Sequence, residues 1–242
     1  MTVLWAQARA ATVELVRYPS FSIPTLALPA IVFVIFGASQ NAETARLAMA
    51  SYAAFAFLGV AFFQFGVGIA TEQTSPWHTY LRILAAGPGS RFGARILSAL
   101  AFGLASGAVV IVAALVTTDV SLPAGRWALL LATLVVGTIP FALLGIAIGY
   151  WFSPRGALPV ANLLYLALSF LGGLWTASRH ATGLAGAVAP YTPTRGWLDL
   201  LAAAVGTAPW RPHDIVLLGA WAVAAAALAT AGYRRDEGER YR

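Results

Sequence analysis

The 242 residues of this chain include no cysteine and no lysine. The first absence excludes disulfide frameworks, thiolate metal sites and cysteine nucleophiles. The second excludes a lysine general base, a Schiff base and the lysine of a phosphate-binding loop, GxxxxGK[ST], so the chain has no means of hydrolysing ATP alone. All fifteen basic residues are arginine. Charge of either sign is scarce, 10% of residues, where a soluble domain has about 25%. The three histidines, His78, His180 and His213, fall in connections on both sides of the apolar runs, and no metal site is expected.

What is present is apolar. Hydrophobic residues make up 60% of the chain and the mean hydropathy is +0.77. A bilayer core takes about 20 consecutive apolar residues in a helix. Six runs qualify, at 21–38, 49–70, 96–117, 127–150, 157–177 and 214–232, and none has Arg, Asp, Glu or His in its interior. The expected fold class is therefore an all-α integral membrane protein with six transmembrane helices. An even number of spans puts both termini on one side. Arg9, Arg17, Arg82, Arg91, Arg95, Arg155, Arg234, Arg235, Arg240 and Arg242 share that side, and Arg46, Arg126, Arg179, Arg195 and Arg211 fall on the other. The excess predicts cytoplasmic termini. The net charge of +6 thus reads as topology, and no nucleic-acid partner is expected.

Residues 1–20 form a separate element. Leu4, Trp5, Ala8, Ala11, Thr12, Leu15 and Val16 share one helical face, with Gln7, Glu14 and Arg17 opposite. That pattern predicts an amphipathic interfacial helix, ended by Tyr18-Pro19-Ser20. A signal peptide cleaved near residue 38 is the rival, but its polar leader would be too long and Pro24 and Pro29 would interrupt its core. The same prolines predict a kink in the first span. Gly103 with Gly107, and Gly145 with Gly149, predict close helix approach. The connection 178–213 is expected outside; its short apolar stretches 182–189 and 196–205 read as re-entrant or interfacial helices. Residues 233–242 form a mixed-charge cytosolic tail. The whole chain reads as one transmembrane domain.

The spans hold little chemistry. Gln64 and Asn162 are their most polar residues, which argues against a proton relay. Ser106-Gly107 lacks the glycine that would precede an intramembrane serine nucleophile, and no histidine lies in a span. No catalytic residue is expected and the chain is not read as an enzyme. Its most informative stretch is polar: TEQTSPWHTYLRILAAGPGSRFGAR, residues 71–95, between the second and third runs. A connector of this size, basic at its far end, gives a cytosolic partner something to grip.

The residues also carry a resemblance. VRYPSFSIPTLALP resembles the elbow helix and proline-containing first span of the permease subunit of the ATP-binding-cassette type-2 exporter family. EQTSPWHTYLRILAAGPGSR resembles that family's coupling segment: Glu72 matches the leading acid, Leu81 and Leu84 the apolar ridge, and Pro88, Ser90 and Arg91 the closing motif. LSFLGGLW, 168–175, resembles the fifth-span signature, and APYTP, 189–193, the external proline motif. Ser75-Pro76-Trp77 replaces the common Gly-Thr-Leu, and the usual Pro-x-x-x-Pro after the fifth span is missing from WTASRHATGLAG.

The resemblance covers nearly the whole chain. It implies a permease dimer, of identical or homologous subunits, with two copies of a cytosolic ATPase subunit that bind ATP and magnesium; no cofactor is expected on this chain. Trp77, Tyr80, Leu81 and Leu84 would fill a groove on the ATPase, with Glu72, Arg82 and Arg91 at its rim. The plainer reading of Trp77 and Tyr80 is anchorage at the membrane interface. A pathway without charges suits a small hydrophobic or amphipathic substrate, lined by candidates Phe62, Phe63, Phe65, Asn162, Tyr165 and Trp175. Packing against lipid or a neighbouring helix is the alternative for each aromatic. The leading expectation is multidrug or natural-product export across a bacterial plasma membrane, including antibiotic resistance. Export of a lipid or lipid-linked glycan, and a non-transport sensor or scaffold module, are the alternatives.

Overall fold

The computed structural model describes residue 17 and residues 19–38, 41–73, 88–176 and 183–240. Every regular element among these is helical: α1 (Pro19–Phe36), α2 (Ala42–Val60), a π-helix (Ala61–Val67), α3 (Gly68–Gln73), α4 (Pro88–Thr117), α5 (Ala124–Gly137), α6 (Ile139–Trp151), α7 (Pro154–Leu171), α8 (Gly183–Val188), a 3-10 turn (Ala189–Tyr191), α9 (Pro193–Val205) and α10 (Pro212–Arg240). Four helical stretches among the described residues are long and apolar enough to cross a bilayer: Glu43–Gln73, Ile96–Thr117, Ala124–Trp151 and Pro212–Asp236. The chain is thus an all-helical, multi-pass membrane protein. The apolar helix Ile23–Phe36 is shorter, and α7, with Arg155 near its start and Pro159 inside it, is not among the four. The predicted amphipathic helix lies outside the described residues, apart from Arg17 and the last two positions.

Proline chemistry places several boundaries. Pro154 and Pro193 open their helices, where a missing N–H costs nothing because the first turn has no acceptor for it. Pro29 lies inside α1 and leaves the Thr25 carbonyl, four residues back, without its helical donor. Ser106 of α4 supplies the replacement, its hydroxyl donating to that carbonyl at 2.9 Å. Pro140 has the matching effect in the fourth apolar run, which breaks at Thr138 into α5 and α6.

The axis of the bundle is one rod of α2, the π-helix and α3. Asn41 caps it, its side chain accepting from the Thr44 N–H at 2.9 Å, and Glu43 in the first turn suits the positive helix end. The 31 residues from Glu43 to Gln73 rise about 45 Å, more than a hydrocarbon core. Its most apolar stretch is 83% buried inside the protein, against 39% for Ile96–Thr117 and 22% for Pro212–Asp236. The rod is therefore the hub, and the other spans give one side to lipid. Val112 and Val116 of α4, Leu163 and Phe170 of α7, and Val216 and Val223 of α10 are exposed on those outer sides.

Small residues let the spans approach the rod. The Phe57 ring seats against Gly103 and Gly107, where added Cβ atoms would stand 3.0 and 2.9 Å from it. On the other side a Cβ at Gly145 would lie 2.5 Å from the Ala61 carbonyl oxygen, and one at Gly149 3.0 Å from that of Phe65. Both glycine pairs face the same rod.

α9 is short but not peripheral. Every residue of it except Arg195 is buried, and it packs against α5, α10, α2 and α7. Thr192 caps its start, accepting from the Arg195 N–H at 3.3 Å. At its end Gly206 turns left-handed, φ 86°, and Arg126 of α5 donates to the carbonyls of Ala203 (2.6 Å) and Ala204 (3.2 Å). A guanidinium there meets the last free carbonyls and the negative end of the helix dipole together.

Candidate functional site

Two sets of residues follow from the sequence, one in the polar connector and one among the spans. In the connector, Glu72 is exposed near the end of α3. Arg91 lies in the first turns of α4, with only its backbone described. Trp77, Tyr80, Leu81, Arg82 and Leu84 lie outside the described residues.

The pathway set divides. Three of its six members meet, joined by a residue that sequence reasoning missed. Phe55 of α2 stacks on Tyr165 of α7, centroids 4.6 Å apart at 17°, and meets Trp175 edge-on at 5.8 Å. Phe63 of the π-helix meets the same Tyr165 edge-on at 5.6 Å. The result is a continuous series of rings, Trp175–Phe55–Tyr165–Phe63, along the α7 side of the rod. Trp175 is partly exposed at its end. Phe62 is fully buried in the main core, and Phe65 joins a second patch with Val60, Ile69, Ala99 and Phe102. Asn162 is exposed on the outer side of α7. One helical segment points three ways because successive side chains leave a helix in different directions around its axis.

The LSFLGGLW segment fixes the outer end of the ring series. Gly173 adopts φ 81°, a conformation that a side chain would strain, and turns the chain back toward α2. Ser51 and Tyr52 then donate to the carbonyls of Leu174 (2.6 Å) and Trp175 (2.5 Å). Thr194 at the start of α9 donates to the Leu168 carbonyl at 2.7 Å and fills the space a side chain at Gly172 would need. The two glycines and Thr194, the residue after APYTP, are parts of a single joint between α7, α9 and α2.

The π-helix is the second feature the sequence did not disclose. Bonds that span five residues widen the helix and occur mostly as short insertions, frequently where a protein acts. This one contains Gln64, 8% exposed, whose amide nitrogen has no hydrogen-bond partner among the described residues. Leaving a buried amide unpaired costs about 1–3 kcal/mol, which makes Gln64 the position in this span where a polar partner has most effect.

A further surface feature is a shallow, open groove of about 240 Å³ between α6 and α10. None of the predicted pathway residues lines it. Among the described residues no group of three or more His, Asp or Glu is placed to hold a metal ion.

No family model matches the chain. It is similar to the protein described as "Putative transport permease YvfS" of Bacillus subtilis (strain 168), at 23% identity over 182 residues that cover 72% of this chain and 74% of that one. The relationship is distant and runs through most of both chains.

Proposed function

We propose that this chain is the permease subunit of an ATP-driven exporter of the ATP-binding-cassette type-2 kind. In this reading it crosses the bacterial plasma membrane six times with both termini in the cytoplasm. Two permease subunits, identical or homologous, work with two copies of a cytosolic ATPase that binds ATP and magnesium. The observation that carries the reading is the similarity to a transport permease across about three quarters of both chains. The absence of a phosphate-binding lysine supports it, because the driving nucleotide then belongs to another polypeptide.

Substrate class follows from the spans. Between Arg46 and Glu72 the central rod has no ionisable group other than Tyr52, and its α7 side presents aromatic rings with few polar atoms. Such a surface suits hydrophobic or amphipathic compounds, as in drug or natural-product export, more than ions or sugar phosphates. The connector 71–95 transmits ATPase closure to the rod through Glu72 and to α4 through Arg91, with Trp77, Tyr80, Leu81, Arg82 and Leu84 as its contact surface.

The test is purification of the full chain from its host membrane in nanodiscs, with native mass spectrometry of what accompanies it. A separate ATPase is expected, lost when Trp77, Tyr80 and Leu81 are together changed to alanine. A chain that runs without an ATPase would overturn the reading and leave a non-transport membrane module.

A further inference from the structure

The π-helix interrupts the central rod where the sequence requires no interruption. Ala61–Val67 contains no proline, and the residues on either side keep α geometry, Val60 at φ −58° and ψ −44° and Gly68 at φ −60° and ψ −49°. Nothing covalent bars the same residues from α bonding. The change of bonding shows at the two ends. The Ala61 N–H donates to the carbonyls of Phe57 and Leu58, whereas the Gly68 N–H reaches back to Phe63 as well as Phe65. Bonds that span one residue more take up one extra residue in the turn. α3 is thereby set one residue out of phase with α2, and one residue of an α-helix is about 100° of turn and about 1.5 Å of rise.

The surroundings do little to lock that phase. Toward α6 the segment meets backbone: a Cβ at Gly145 would stand 2.5 Å from the Ala61 carbonyl oxygen, and one at Gly66 3.4 Å from that of Gly145. Glycines of both helices leave few side chains to interlock there. The present phase also leaves donors unused. Among the described residues the buried side-chain atoms without a hydrogen-bond partner are Arg46 Nε, Gln64 Nε2 and Gln73 Nε2. Both glutamines belong to the π-helix or to α3, the helix whose phase it sets. A buried donor without a partner calls for a reason, and a second phase in which these side chains face elsewhere supplies one.

We propose that Ala61–Val67 is a register joint that converts between π and α bonding. Conversion to α turns each residue of α3 into the direction now held by the one after it. Ala70, now buried, takes the place of exposed Thr71, and Thr71 takes that of Glu72, also exposed. α2 stays where it is, packed against α1, α4 and α9, while α3 moves against α6 and α7. The displaced end is the one that leads into the connector 71–95. That a partner ATPase drives the conversion rests on the proposed function; the joint itself does not.

The chain has no cysteine, so a single introduced thiol reports alone. Ala70→Cys and Thr71→Cys, each in the full chain in nanodiscs, are alkylated with N-ethylmaleimide and the rates followed by mass spectrometry. Thr71→Cys should react fast. Ala70→Cys should react slowly but measurably, through the converted state. Deletion of Gly66 removes the extra residue and leaves a continuous α-helix in the present phase. It should lower the Ala70→Cys rate several-fold and leave Thr71→Cys unchanged; deletion of Gln64 serves the same end should the first variant fail to fold. In host membranes that hold the partner ATPase, a non-hydrolysable ATP analogue should raise the Ala70→Cys rate several-fold. An Ala70→Cys that never reacts, or that reacts equally with and without the deletion, would overturn the joint. A rate that falls on deletion but ignores nucleotide would uphold the joint and overturn its ATP drive.

Discussion

The indole of Trp197 occupies the space that any side chain at Gly137 would need. Trp197 is fully buried in α9, stacks on Phe141 with centroids 5.1 Å apart, and donates its N–H to the Thr133 carbonyl at 2.9 Å. It sits where α5 gives way to α6. The break in that span is thus packed against a residue of the thirteen-residue helix α9.

Gly137→Ala should destabilise the chain by about 1–3 kcal/mol through overpacking, read as a fall in melting temperature in detergent. In a Trp197→Ala background the same substitution should cost little. Additive losses in that double-mutant cycle would show that the two residues do not compete for one space.

Arg126→Gln should weaken the end of α9, because a hydrogen bond from a charged donor contributes about 1.5–3 kcal/mol. Arg126→Lys should recover only part, since one ammonium cannot reproduce the guanidinium's fixed donor geometry. Gly206→Ala acts on the same turn by imposing a side chain at φ 86°, at a cost of about 1 kcal/mol. Limited proteolysis between α9 and α10 would report all three. Equal stability of the glutamine variant and wild type would remove Arg126 as the cap.

Ser106→Ala should cost about 1–3 kcal/mol by removing the hydroxyl donor to the Thr25 carbonyl. Restoring the donor along the backbone with Pro29→Ala should make the serine dispensable. If Ser106→Ala costs as much with Pro29 replaced as with it present, the hydroxyl serves some other purpose.

Gln64→Leu should raise the melting temperature, since it removes a buried amide nitrogen without a partner and keeps a similar volume. A fall would mean that the amide is paired in the membrane-embedded protein. Under the proposed function the same variant should lower transport, because a penalty retained in the hub span points to use of that amide during the cycle.

Much of the helical layout was legible because apolar length is a strong signal. The runs at 96–117 and 214–232 fall within α4 and α10, which extend beyond them. The 157–177 run begins three residues late because hydropathy discounts Pro154 and Arg155, although proline is well placed to open a helix. It also runs past the end of α7, because apolar residues continue through a glycine turn that hydropathy does not register. The π-helix left no trace, since its extra residue alters bonding and not composition. The separation of Phe62, Phe63 and Phe65 was hidden for a related reason: hydropathy treats three phenylalanines alike, whereas the helix sends them to different neighbours. Phe55 was missed because nothing in an alanine-rich span singles out one ring before its stacking partner is known.

The burial of α9 also bears on how the chain is made. Thirteen residues, with Arg195 paired to Asp199 at 2.9 Å, are too short to enter a bilayer as a span of their own. The helix becomes stable only once α2, α5, α7 and α10 stand around it, and α10 is translated after it. A ribosome that has just finished Val205 therefore carries this segment without its last wall. α9 thus meets its full set of neighbours only after the chain has continued through α10, so the burial of this short helix depends on a segment that follows it in sequence.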